Sequence, residues 1–409
     1  MPNLKEVIIS ITNRCNLRCR MCDIPCGEID ELPTSRWKDV IKDACRLGAQ
    51  TVVFSGGEPL LREDIYELIF FTKENGLSAC VTSNGVLIDD RVAGRLYDSG
   101  VNVVNVSVEG TKGTHDFLRG EGGFDKAIAA LKELKKHKIE STVASTVSKY
   151  NYADLPYLLK LAGDNGATTV RLQPFNVIFL RDLRRRKEFL ISKAEIAEVK
   201  ESLRNFIELS QKHKISTNPL NYLYKIPEYL SGKEFFMQQC GALWYSCPIN
   251  PNGDVFPCWV EAKNRLVGNV GEQSLYGIWL SKKRLKIIKN IMKKGCKGCL
   301  MSCYDEAFGE GYSGARVFGK IKKIKRFTDG KKIINKVRQF LKGAVIRFRL
   351  RYKFYSSYGG SWQVILKRKL CGMFGKVASG RKRIQDKSAD FSSEIACLKK
   401  KIEREIHLL

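Results

Sequence analysis

Fourteen cysteines stand in a chain of 409 residues, and their spacing is the first feature that could do chemistry. Cys15, Cys19 and Cys22 form a Cys-x3-Cys-x2-Cys run. Three soft thiolates this close can wrap one face of an iron–sulfur cubane, because iron in such clusters prefers thiolate. The fourth iron would then lack a protein ligand and could bind a small molecule. A zinc knuckle uses the same ingredients, so the spacing alone leaves both open. A second set holds Cys240, Cys247 and Cys258, then Cys296, Cys299 and Cys303. Asn250-Pro251-Asn252-Gly253-Asp254 is a strong turn signal between Ser246–Ile249 and Val255–Phe256, which predicts a β-hairpin. Cysteines flanking a hairpin, joined by a distant Cys-x2-Cys, suit a metal site, with zinc and iron–sulfur nearly even.

The elements that must position these thiols follow from periodicity. Val7–Ile11 reads as a buried strand, and the first cysteines fall on the loop leaving it. Further strands are expected at Thr51–Ser55, Ser78–Thr82, Val101–Val108, Glu140–Val147 and Thr168–Leu172. Amphipathic helix-length segments lie between them, near 34–47, 61–75, 88–99, 124–137 and 153–165. Gly48, Gly76, Gly100 and Gly166 stand where helices should end. Six βα units in succession predict a parallel sheet, open or curled into a partial barrel. Chemistry in such folds sits at the carboxyl ends of the strands, where the first cysteines lie.

Three more strands end in polar loops. Ser55-Gly56-Gly57-Glu58-Pro59 offers flexible backbone, N–H groups and a carboxylate that could bind an ammonium group. Thr82-Ser83-Asn84-Gly85 offers hydroxyls and an amide suited to a ribose or carboxylate. Ser107-Val108-Glu109-Gly110 is followed by His115-Asp116 and Leu118-Arg119-Gly120. Each alone reads as a turn; their succession points to one site.

In order and spacing these four loops resemble the radical S-adenosylmethionine (radical SAM) superfamily, over about residues 1–180. The resemblance implies a partial (βα)6 barrel, in which Cys15, Cys19 and Cys22 hold a [4Fe–4S] cluster. S-adenosylmethionine would chelate the open iron. Gly56, Gly57 and Glu58 would contact its methionine amine, and Ser83 and Asn84 would lie near the ribose. Ser107, Glu109 and Arg119 would complete the pocket. Met21 stands where the family often has an aromatic residue, and Cys26 is read as a bystander. In this family a reduced cluster cleaves the sulfonium, and the resulting 5′-deoxyadenosyl radical abstracts a substrate hydrogen.

The second cysteine region resembles the SPASM/twitch extension of the same superfamily. The resemblance rests on Pro251-x-Gly253-x-Val255-x-Pro257-Cys258, Val267-Gly268-Asn269-Val270, Ser274-Leu275-x2-Ile278-Trp279 and Cys296-x2-Cys299. It implies one auxiliary [4Fe–4S] cluster, the twitch-like form, held by Cys240, Cys258, Cys296 and Cys299, with Cys303 as a substitute ligand. Cys247 is the least certain candidate. A helix is expected over 274–292 and another over 192–213. Phe189, Tyr222, Tyr224, Tyr229, Phe235 and Phe236 could line a pocket, with a core role at least as good an account. Arg181–Lys187 is a charge run that reads first as a solvated helix start or loop.

The expected organisation is a barrel over 1–215, a small α+β cluster-binding domain over 216–310, and a basic helical tail over 311–409. Net charge is +28, and the tail carries 27 Lys/Arg against 6 Asp/Glu, so the basic character belongs to it. Ile333, Val337, Phe340, Leu341, Ala344 and Phe348 recur at helical steps among these cations, a basic amphipathic pattern. It suits an anionic membrane surface or an acidic partner, and nucleic acid is the weaker reading. No signal peptide or membrane-spanning run is evident, so the expected location is cytoplasmic, peripheral at the inner membrane surface if the tail binds lipid. The expected function is hydrogen abstraction, followed by oxidation of the substrate radical through the auxiliary cluster. A one-electron donor such as flavodoxin or ferredoxin would supply the reducing electron. Peptide-modifying members often carry a recognition domain before the barrel, so a small-molecule or carbohydrate-like substrate is favoured. A peptide maturase or an RNA-modifying enzyme using the basic tail is the alternative.

Overall fold

The computed structural model describes residues 4–26, 29–233, 236–237, 240–260, 265–294, 296–297 and 299–301. Phe235, Cys303 and the extension 311–409 lie outside the described residues. Six strands alternate with helices: β1 (Glu6–Thr12), α1 (Thr34–Arg46), β2 (Thr51–Gly56), α2 (Ile65–Glu74), β3 (Ser78–Ser83), α3 (Asp90–Asp98), β4 (Val103–Ser107), α4 (Lys112–Arg119), α5 (Gly123–Lys136), β5 (Glu140–Val147), α6 (Leu155–Asp164) and β6 (Thr169–Pro174). Each strand pairs in parallel with the next, which makes the partial (βα)6 barrel that the alternation predicts.

Period-two alternation sorts the strand side chains into two sets. Val52, Phe54, Ala79, Val81, Val104, Val106, Val170 and Leu172 are fully buried in the core shared with the helices. Their neighbours Val53, Ser55, Thr82, Asn105, Ser107, Arg171 and Gln173 line an internal cavity. The helices return apolar stripes at steps of three and four, as Trp37, Val40, Ile41 and Ala44 do in α1. Full burial of each large apolar side chain contributes about 1.5–3 kcal/mol. A one-residue slip in any strand would therefore exchange core for cavity and be strongly disfavoured.

The chain continues through α7 (Leu183–Glu188), α8 (Ile196–His213), α9 (Leu220–Leu223) and α10 (Ile226–Leu230) to the second cysteine region. There β7 (Phe236–Met237) pairs with β11 (Cys296–Lys297) in a small sheet of their own. Between them come β8 (Ser246–Ile249), β9 (Asp254–Val255), β10 (Gly268–Asn269), α11 (Leu275–Leu280) and α12 (Lys282–Lys294). The expected hairpin is β8–β9, paired at Ile249 and Val255. Its place in the sheet was not foreseeable from the local pattern: β8 runs parallel to β1, with Val7 opposite Cys247 and Ile9 opposite Ile249. The hairpin thus covers what would be the bare edge of β1, a liability in any open sheet. The single helix expected over 274–292 is broken at Ser281, whose backbone is extended.

Candidate cluster and cofactor site

The cysteine loop is fixed first at its root. Thr12, the last residue of β1, donates its hydroxyl to Glu31, and its Oγ1 accepts the Arg14 N–H at 3.0 Å. Buried Arg62 reaches the other Glu31 oxygen at 2.9 Å and is held in turn by Asp64 at 2.7 Å. The loop after β2 then closes on the cysteine loop. Gly57 N–H donates to Thr12 O at 2.7 Å, and Glu58 N–H donates to Arg14 O at 2.8 Å. A Cβ on Gly56 would stand 2.3 Å from Thr12 O, and one on Gly57 would stand 2.2 Å from Arg14 O. Glycine is therefore required here by backbone packing. The expectation that the Gly57 N–H faces a ligand is corrected, since Thr12 O takes it.

Cys15, Cys19 and Cys22 line one cavity of about 800 Å³, together with Gly56, Gly57, Ser83, Asn84, Ser107 and Arg119. Met21, buried beside them, lines it too. Three N–H donors point at sulfur: Leu17 N–H at 3.5 Å and Asn84 Nδ2 at 3.8 Å to Cys15, and Arg119 Nη1 at 3.9 Å to Cys19. Burial raises the Cys15 thiol and lifts that of Cys22 to about 11, and the neighbouring sulfurs add to both. Free thiolates would repel one another here; iron cations would compensate them, and the N–H donors suit sulfur that accepts. The donor set fits a [4Fe–4S] cluster.

The carboxylates predicted for the pocket stand behind it. Glu58 is fully buried, and its oxygens accept Asn84 N–H at 2.8 Å and Leu60 N–H at 3.2 Å. Burial pushes its carboxyl up to about 7, against these hydrogen bonds. Its side chain thereby sets Asn84, whose amide also donates to Asn16 Oδ1 at 2.8 Å. Glu109 is fully buried as well. It accepts Arg119 Nε at 2.8 Å, Thr146 N–H at 2.7 Å and the Ser145 hydroxyl at 3.2 Å. Burial works against the Arg119 charge, but Glu109 and the nearby sulfurs hold it above its ordinary range. Asn151 ties the two loops by donating to Glu109 O and Thr146 O. His115 accepts the Glu109 N–H, and burial with nearby Arg119 lowers it to about 3, so the imidazole is neutral.

Of the second set, Cys240, Cys258 and Cys299 pack in one cluster with Ala242 and Met301, bordered by Phe179, Trp259 and Val260. Trp259, Met301 and Phe179 also line the cavity that the first three cysteines face. The Cys299 segment is held to the barrel because Gln173 Nε2 and the Tyr222 hydroxyl both donate to Leu300 O, at 2.7 and 3.0 Å. Cys296 lies in β11 on the same stretch of chain. Cys247 is apart, fully buried on β8 in the barrel core, where burial pushes its thiol up to about 12. Phe189 and Tyr222 are core residues and Tyr224 is exposed; the aromatics facing the cavity are Phe175, Phe179, Tyr245 and Trp259.

The charge run gives a mixed result. Arg184 is a solvated side chain, as expected. Arg185 is not: it donates to Asp23 Oδ1 at 2.9 Å and to Arg20 O at 2.6 Å, both on the cysteine loop. Arg181 N–H also donates to Asp23, at 2.7 Å. This clamp was missed, as were Glu31, Arg62 and Asn151. None of them lies within three residues of a strand end, so no local signal marked them.

The radical SAM superfamily model matches residues 9–162, and the iron-sulfur cluster-binding domain SPASM matches residues 240–325. The chain belongs to the radical SAM superfamily and carries a SPASM domain. It is a radical SAM enzyme. It is 36% identical over 159 residues to the Fe-coproporphyrin III synthase of Methanosarcina barkeri, covering 38% of this chain and 40% of that one. It is 27% identical over 338 residues to the AdoMet-dependent heme synthase of the same organism, covering 74% and 93%. It is 29% identical over 316 residues to the mycofactocin maturase MftC of Mycobacterium tuberculosis, covering 75% and 78%. Among solved structures, Streptococcus suis SuiB bound to S-adenosylmethionine superposes with a TM-score of 0.58 at 18% identity, over 71% of this chain and 68% of that one, a likeness of fold. Among the described residues no helix is long and apolar enough to cross a membrane.

Proposed function

We propose that this radical SAM enzyme abstracts a hydrogen from a small organic substrate held in the central cavity and oxidises the resulting substrate radical through one auxiliary cluster. The single observation carrying the reading is the shared cavity. Its lining includes Cys15, Cys19 and Cys22 together with Trp259 and Met301, which pack on Cys258 and Cys299. A substrate there lies between the source of the radical and a sink for its electron.

When bound, the first cluster and S-adenosylmethionine supply one-electron cleavage to methionine and a 5′-deoxyadenosyl radical. Cys15, Cys19 and Cys22 are the proposed ligands. Asn84 and Arg119 donate to the sulfurs and fix their orientation. Glu58 and Glu109 are positioning residues, holding Asn84 and Arg119 from outside the pocket. Ser107 and the backbone of Gly56 bound the space for S-adenosylmethionine. Cys240, Cys258, Cys296 and Cys299 are the proposed auxiliary ligands, with Cys303 as substitute. Cys247 is assigned to the core.

The heme synthase match, spanning nearly all of that relative, supports a tetrapyrrole as the small substrate. The test is anaerobic incubation of the iron-loaded enzyme with S-adenosylmethionine, dithionite and iron coproporphyrin III. A two-electron oxidation product with stoichiometric 5′-deoxyadenosine is expected. 5′-Deoxyadenosine without any change in the tetrapyrrole would reject that substrate. The second reading, a peptide substrate, is favoured by the match to MftC and would then be tested with candidate precursor peptides.

A further inference from the structure

On its outer side the cysteine loop belongs to a ring of contacts that the site above does not use. The Arg20 guanidinium, between Cys19 and Cys22, lies 4.1 Å from the centre of the Phe117 ring. Phe117 meets Tyr150 at 5.2 Å between ring centres, and Tyr150 meets Phe189 at 5.4 Å. Phe189 directly follows α7, and Arg185 of α7 returns to Arg20 O and Asp23. Four segments distant in sequence thus converge around one side of the loop. Phe117 is 43% exposed and Tyr150 37%, and the exposed charges on the segments that meet there include the cations Arg20, Arg181, Arg184 and Lys187 against the anions Asp182 and Glu188.

We propose that this face docks an acidic one-electron carrier protein, which reduces the cluster held by Cys15, Cys19 and Cys22. The inference rests on the proposed function, in which those cysteines hold that cluster. The cavity face is committed to S-adenosylmethionine and substrate, so the electron must enter from outside. The patch is continuous with the ligands: Arg20 N–H donates to Leu118 O at 2.8 Å, and the next residue, Arg119, donates to Cys19. These four exposed cations against two anions leave a net positive rim around an apolar centre, which matches an acidic carrier and would steer its approach. Electron-transfer encounters are small, burying less than about 1,200 Å², so a patch of this modest kind suffices. The balance is simple: the carrier's reduced flavin loses one electron, the cluster gains it, and no atom crosses the interface.

The test uses full-length, iron-loaded enzyme and purified flavodoxin as the probe. The variant is the exposed pair Arg184→Glu with Lys187→Glu; the control reverses Lys126 and Lys132 on α5. At low ionic strength the patch variant should bind flavodoxin about tenfold more weakly or worse, with the control unchanged. That difference should vanish at about 1 M salt, where screening falls to about 3 Å. Carbodiimide should link Lys187 to flavodoxin carboxylates, located by mass spectrometry. With flavodoxin and its reductase, 5′-deoxyadenosine formation should slow in the patch variant; with dithionite it should match wild type. Unchanged binding and cross-linking, cross-links confined to 311–409, or a patch that retains RNA and not flavodoxin would each overturn the proposal. A wild-type enzyme inactive even with dithionite would instead overturn the cluster assignment beneath it.

Discussion

The pair of fully buried Glu109 and part-buried Arg119 gives the sharpest quantitative prediction. Replacing Glu109 by Gln removes the only carboxylate facing Arg119 among its described hydrogen-bond partners, at Nε (2.8 Å), and leaves one oxygen to serve Thr146 N–H. Breaking a buried pair from one side typically costs about 3–5 kcal/mol, because the remaining charge is left desolvated; Arg119, 14% exposed on the cavity wall, stands at the lower end of that range. Against a total stability of about 5–15 kcal/mol, that is severe. Arg119→Met should cost about as much, since Glu109 is then buried without its cation. The double variant removes both charges and should cost no more than either single, giving a coupling energy of at least about 3 kcal/mol. Urea unfolding of the iron-free chain under reducing conditions, for wild type, both singles and the double, measures it. The double variant should be stable yet still fail to cleave S-adenosylmethionine, because the Arg119 donor to Cys19 is gone. Singles costing under about 1 kcal/mol each, or additive losses, would refute the reasoning.

Further outcomes concern the other buried groups. Glu58 titrates near 7 in the fold against an ordinary 4.5, so folding takes up a proton between those values. Stability should therefore fall by about 3 kcal/mol as pH rises through that window and then level off. Glu58→Gln cannot titrate, so the difference in unfolding free energy between it and wild type should grow by that amount across the same window. Cys258→Ala or Cys299→Ala should lose about four irons and keep uncoupled S-adenosylmethionine cleavage, read by iron assay and 5′-deoxyadenosine formation without product. Cys247→Ala should keep its full iron content and cost about 1 kcal/mol in urea unfolding, as a small core truncation does.

Much of the barrel was legible because its signals are local. β1 to β6 lie within a few residues of where period two and the glycine stops placed them, and Gly48, Gly76, Gly100 and Gly166 all have positive φ at helix ends. The first three cysteines and their partner loops were legible through spacing, and they do meet around one cavity. What escaped depends on contacts between distant segments. Nothing near Ser246 announces that β8 will pair with β1 some 240 residues earlier. Glu31 and Arg62 look like ordinary surface charges until the fold brings Glu31 to Thr12 and Arg62 to Glu31. Gly57 was read as making room for a ligand, whereas the nearest atom it makes room for is the backbone of Arg14. The run 181–187 reads uniformly by composition, yet Arg184 faces water and Arg185 clamps the cysteine loop.

The central claim is that Cys15, Cys19 and Cys22 hold a cluster whose open iron binds S-adenosylmethionine. Electron paramagnetic resonance of the anaerobically reconstituted, dithionite-reduced enzyme, before and after adding S-adenosylmethionine, tests it most directly. The account predicts a reduced [4Fe–4S] signal that shifts on addition, and loss of that shift together with 5′-deoxyadenosine formation in Cys15→Ala, Cys19→Ala or Cys22→Ala. A colourless protein holding zinc, or a cluster signal indifferent to S-adenosylmethionine, would contradict it.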